Sequence, residues 1–108
     1  MKEIAEAITR ISGHRGRRFY TSLIHAIYVA KTHMPTELLM KDICQEAGPL
    51  CGKEPSSVSQ DASRAIRDIW EFGDRPALAA LLKYEPKDIP TPKDFIIEVA
   101  ELFWTGRA

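Results

Sequence analysis

With 108 residues, the chain can bury one core of ordinary size but not two independent ones. Hydrophobic residues make up 44% and charged residues 28%, a balance that excludes an intrinsically disordered chain. Fifteen Lys and Arg against fifteen Asp and Glu give a formal net charge of zero, so no global field draws the chain to a polyanion.

The start, "MKEIAEAITRIS", alternates charged and apolar residues rather than building a signal-peptide core. No apolar run approaches the roughly 20 residues that span a bilayer, so a cytoplasmic protein with no membrane partner is expected. Almost every segment carries a helical period and none a convincing alternation of β-branched residues, which predicts an all-α fold. Ile4, Ile8 and Ile11, with Ala5 and Ala7, make a first helix that Gly13 can close. A second is predicted from near Arg15 to about Thr32, with Phe19, Leu23, Ile24, Ile27 and Tyr28 three and four residues apart. Pro35 interrupts, and a third, about Glu37 to Ala47, places Leu38, Leu39, Ile43 and Ala47 on one side before Gly48-Pro49 ends it.

The stretch "EPSSVSQDASRAIRDIWEFGD" then predicts a helix starting between Pro55 and Ser57 and reaching Phe72, with Gly73 suited to a left-handed cap. Asp74 can cap a short helix in "RPALAALLKY", whose Leu78, Leu81 and Leu82 supply core contacts. Thr91-Pro92-Lys93-Asp94 reads as N-cap, proline at the first helical position and an acid at the third. In the helix that follows, Phe95, Val99, Leu102 and Phe103 are expected to face inward. No repeat or linker divides the chain, so residues 1–108 are expected to form one domain.

Little in the sequence can build an enzyme or hold a cofactor. There is no glycine-rich phosphate loop, no His-x-x-x-His pair and no cysteine beside an obvious base. Cys44 and Cys51 match no zinc spacing and read as small buried thiols, and His25 reads as a structural side chain.

The fourth helix carries the functional signal. At about 100° per residue, Val58, Ala62, Ala65, Ile66 and Ile69 fall in one sector, leaving Ser56, Ser57, Gln60, Ser63, Arg64 and Arg67 on the opposite side. With the amphipathic helix before it, this has the form of a helix-turn-helix, although the connector "GPLCGKEP" is longer than the usual turn of three or four residues. In that motif the second helix enters the major groove, where Gln can pair with adenine, Arg with guanine and Ser with either. The run "HRGRR", His14 to Arg18, can add phosphate contacts from the start of the second helix.

"SSVSQDASRAIRDIWEFGD", a short Leu/Ala helix and "IPTPKDFIIEVAELF" together resemble the C-terminal DNA-binding domain of the stage-zero sporulation response regulator of endospore-forming bacteria. That family reads a Ser-Arg-Val-Glu-Arg start, an Ala-Ile-rich helix ending in Trp, a residue pair and Gly, then a Lys-Pro-Thr-Asn-x-Glu-Phe-Ile stretch and a Val-Ala pair. Ser56, Val58, Ala65, Ile66, Trp70, Gly73, Pro90 or Pro92, Thr91, Phe95, Ile96, Val99 and Ala100 fit this order. Gly16, Tyr20, Ala26, Ile27 and Ile43 fit upstream, so the likeness runs from about Ile11 to Phe103.

The resemblance implies a compact six-helix domain with its recognition helix at about residues 56–72, acting in transcription regulation and sporulation as the effector domain of a response regulator. It implies double-stranded DNA as partner and head-to-tail dimers on tandem sites. The 108 residues leave no room for that family's phosphorylated receiver domain, so switching by phosphorylation is not expected unless the sequence is a domain excised from a longer protein. The departures bear most on specificity. Ser57, Ser59, Gln60 and Ser63 stand where the family has Arg, Glu, Arg and Arg, and each bidentate base contact supplies about 1–3 kcal/mol of discrimination.

The expected function is therefore sequence-specific DNA binding with altered base preference. Ser57, Gln60, Ser63, Arg64 and Arg67 are placed at bases or phosphates, and Arg15, Arg17, Arg18 and Lys53 on the backbone. The alternative is a protein-interaction module of the same fold that has lost DNA binding and modulates a full-length regulator by dimerisation, a reading favoured by the zero net charge and the missing arginines.

Overall fold

Six helical segments are present in the computed structural model, which describes residues 1–104; the last four residues of the expected 1–108 domain lie outside that span. They are α1 (Lys2–Ile11), α2 (Arg18–Thr32), α3 (Met40–Cys51), α4 (Pro55–Phe72), α5 (Arg75–Leu82) and α6 (Pro92–Phe103). No strand occurs among the described residues, and the fold is all-α as the periodicity requires.

The central element is α2, which packs against α1, α3, α4 and α6. Its buried positions, Tyr20, Ser22, Leu23, Ala26, Ile27, Val29 and Ala30, reach well round the helix, so it behaves as a core helix rather than a surface one. The α4 stripe Val58, Ala62, Ala65, Ile66 and Ile69 is fully withdrawn from water. Each large apolar side chain buried in this way favours the fold by about 1.5–3 kcal/mol, enough to set the rotation of α4 about its axis. The opposite face of α4 is thereby held outward.

Local capping follows the sequence in two places. The Asp74 carboxylate accepts from the Ala77 N–H at 3.0 Å, and Thr91 Oγ1 accepts from the Asp94 N–H at 3.2 Å. Elsewhere packing overrides local signals. Rather than beginning near Arg15, α2 begins at Arg18, because Gly16 takes a left-handed φ of +84° that turns the chain before the helix can start. Leu102 is 37% exposed, Phe103 packs against the core while half-buried, and Ile96, Ile97 and Ala100 join Phe95 and Val99 on the buried face of α6.

The expected left-handed cap at Gly73 is not formed, since its φ is −83°. Glycine is needed there for another reason: an added Cβ would lie 2.3 Å from the Ile11 carbonyl oxygen, where the end of α1 crosses the end of α4. The left-handed caps fall instead at Gly52 and at Lys83, which closes α5 with φ +68°.

Nor does α3 end at Gly48-Pro49. It continues to Cys51 and is closed by Gly52, with the Lys53 N–H donating to the Gly48 carbonyl at 2.9 Å. Pro49 removes only the donor that would serve the carbonyl of exposed Gln45, close to the helix end, where water can serve instead. The expected start at Glu37 is likewise too early, and Leu39, the N-cap, is exposed.

Candidate nucleic-acid interface

Extension of α3 shortens the link to α4 to three residues, Gly52, Lys53 and Glu54. This removes the objection raised by the long stretch "GPLCGKEP", since three residues including a glycine suit a helix-turn-helix. The joint is tight: a Cβ on Gly48 would come within 2.6 Å of the Lys53 carbonyl oxygen. Only glycine lets the backbone after the turn lie this close to α3.

On the outward face of α4, Ser59, Gln60, Ser63, Arg64 and Arg67 line a shallow depression of about 320 Å³. Gln60, Ser63, Arg64 and Arg67 are exposed and free of the core. Arg64 also lines a second, larger groove of about 650 Å³, together with Gly16, Arg17, Arg18, Phe19, Lys53 and Asp61. The two depressions therefore meet at Arg64, joining the polar face of α4 to the start of α2 and the α3–α4 turn. Arg17 is the N-cap of α2 and supplies no side-chain cap, so the first-turn N–H groups add positive character at this end. A chain of zero net charge thus gathers four cations around one carboxylate in a single groove.

Not every expected residue joins. Ser57 is half-buried and lines neither depression. Arg15 is exposed but lies beside α1, sharing a separate depression with Lys2, Glu6, Thr9 and Arg10. The run His14–Arg18 does not form one patch, because the left-handed turn at Gly16 sends Arg15 and Arg17 to different surfaces. His14 is engaged elsewhere again, through α4.

Two aspartates on α4 are absent from the expected set. Asp61 Oδ2 accepts from Ser22 Oγ at 2.7 Å and from the Lys53 ammonium, and its side chain is 13% exposed. Burial pushes its carboxyl upward, but the hydrogen bonds from Lys53 and Ser22 and the charges of Lys53 and Arg64 outweigh this and hold it below the usual carboxylate range. Lys53 is therefore paired within the protein.

Seven residues on, buried Asp68 accepts from Tyr20 Oη at 2.5 Å, from the His14 backbone N–H at 2.8 Å and from His14 Nδ1 at 2.5 Å. Burial raises its carboxyl too, and the bonds from Tyr20 and His14 again bring it below the usual range. Tyr20 is pushed in the other direction, by burial first and then by the Asp68 bond, and stays neutral. Its hydroxyl also accepts from the Gly13 N–H at 3.2 Å. The one sequence signal for these aspartates is their place at the edge of the apolar stripe, about 20° apart around the helix. An acid at the margin of a buried face needs a partner.

Among the described residues, no group of three or more His, Cys, Asp or Glu is arranged to hold a metal ion, and no helix is long and apolar enough to cross a membrane. Cys44 is buried and Cys51 half-buried, both as free thiols. His25 is half-buried, with Nδ1 hydrogen-bonded to the Thr21 carbonyl one turn back at 2.8 Å. No family model matches the chain, and no curated protein matches it.

Proposed function

We propose that this chain is a DNA-binding domain of a transcriptional regulator, of the kind found at the C-terminus of the sporulation response regulator, with its base preference altered. The observation that carries this reading is the junction at Arg64, where the outward face of α4 runs into a cationic groove built by Arg17, Arg18 and Lys53. In a helix-turn-helix the second helix lies in the major groove and flanking cations hold the phosphates on either side. Here α4 is the recognition helix: Gln60, Ser63, Arg64 and Arg67 face base edges, and Arg17 and Arg18 face the backbone. The three-residue turn after α3 supports the same assignment.

The test is fluorescence anisotropy with a labelled duplex of random sequence. At about 50 mM salt the protein is expected to bind in the micromolar range and to lose affinity steeply as salt rises. No binding at tens of micromolar protein overturns the proposal. Arg64→Ala and Arg67→Ala then separate the two kinds of contact: a uniform loss marks phosphate, and a loss confined to one base position in a selected site marks readout.

One observation favours the rival, an interaction module that modulates a full-length regulator through dimerisation. Among the described residues, the one carboxylate lining the groove, Asp61, is already paired with the groove's lysine, which leaves fewer free cations for a polyanion. A protein that ignores duplex DNA but forms a stable complex with such a regulator in analytical ultracentrifugation supports that reading instead.

A further inference from the structure

Asp61 is out of place in a phosphate-binding groove. Arg17, Arg18, Lys53 and Arg64 line the same depression, and a carboxylate among them repels the backbone that those cations attract. It is not incidental to the surface either, because Ser22, a fully buried residue of α2, donates to its Oδ2 and fixes it toward Lys53. A partly buried carboxylate costs desolvation unless its partners are in place, and here both are supplied from other elements.

Resting on the DNA-binding reading, we infer that Asp61 tunes the affinity of the DNA interface as an internal competitor for phosphate: it occupies Lys53 and lowers affinity for DNA of any sequence. Taking one lysine out of the sequence-independent contacts weakens binding at every site alike, and leaves Gln60, Ser63, Arg64 and Arg67 to carry a larger share of what remains. Ser22 holds the carboxylate in this direction from the core side. The depressed titration of Asp61 agrees with this arrangement, because a carboxylate so held is charged at neutral pH.

The experiment uses the random duplex again, titrated from about 50 to 200 mM salt, with wild type, Asp61→Asn, Lys53→Gln and the double variant, each checked for helix content by circular dichroism. Asparagine keeps the size and can still accept from Ser22. Asp61→Asn is expected to bind about tenfold more tightly at 50 mM salt, with the slope of log affinity against log salt steeper by about 0.9, the signature of one more phosphate contact. Lys53→Gln added to Asp61→Asn is expected to remove most of that gain, because the freed lysine supplies it.

Unchanged affinity and slope in Asp61→Asn overturn the inference while leaving DNA binding intact. Weaker binding by Asp61→Asn also overturns it, since the carboxylate would then be touching a base directly. Should Asp61→Asn not fold, Asp61→Ser takes its place, and unchanged affinity and slope in that variant overturn the inference. If neither wild type nor Asp61→Asn binds at tens of micromolar protein, the DNA-binding reading itself has failed.

Discussion

Asp61 and Asp68 stand two turns apart on the same side of α4, and both are held ionised by hydrogen bonds that outweigh burial. Their surroundings differ. Asp68 is closed over by Tyr20 from α2 and by the backbone and ring of His14, whose ring also meets the exposed Phe72 edge-on at 5.1 Å. Asp61 opens onto a groove, and its second partner is the tip of a lysine that water and anions can reach. One carboxylate ties the α1–α2 loop to α4, and the other conditions a surface. Partner type, more than depth of burial, separates a structural charge from one that tunes a site.

The sharpest way to break this comparison is to remove both side chains. Asp68→Ala leaves the Tyr20 hydroxyl and the His14 N–H without their acceptor and is expected to destabilise the fold by about 3 kcal/mol in urea unfolding. Asp61→Ala leaves the buried Ser22 hydroxyl without its acceptor and should cost about 1–2 kcal/mol. Equal losses would show that the open ion pair is as structural as the closed one.

Acid titration comes next in size. A depressed folded-state pKa means the unfolded chain binds more protons, so stability rises with pH: each aspartate contributes fully above its unfolded value of about 3.9 and loses that contribution as pH falls through the folded value. The urea midpoint of the wild type is expected to fall as pH drops from about 5 to 3. Asp68→Asn should flatten that fall more than Asp61→Asn, and a curve unchanged by Asp68→Asn would contradict the bonding assigned to it.

Tyr20→Phe removes one donor to Asp68 and is expected to cost about 1–2 kcal/mol, again read from urea unfolding. It also removes the acceptor of the Gly13 N–H, so hydrogen exchange at that amide should quicken. The smallest effect is that of salt. About 1 M NaCl shortens screening to roughly 3 Å and should erase the stability difference between wild type and Asp61→Asn, while that between wild type and Asp68→Asn persists.

Much of the fold was readable because it is written locally. The stripe on α4 and the caps at Asp74 and Thr91 depend on residues within a turn or two of one another. What could not be read depends on distant chain. Asp61 meets Ser22 across 39 positions and Asp68 meets His14 across 54, separations that no periodicity records. Gly73 has the composition of a left-handed cap but serves a crossing with α1, and Pro49 has that of a helix stop but sits where its missing donor matters little. That Gln60, Ser63, Arg64 and Arg67 share one outward face follows from phase around the helix alone. Arg15 lies apart from Arg17 because a single glycine turns the chain between them, a separation the run of basic residues does not record.

The missing side chain at Gly48 has a practical reach. With the Lys53 backbone sitting where a Cβ would be, α3 and α4 meet at an elbow that has no adjustable part. Ser56, Gln60, Ser63, Arg64 and Arg67 all project away from the core, so they can be randomised together as a cassette in a display library. Clones from such a library would differ in the lettering of the helix and share one angle of presentation.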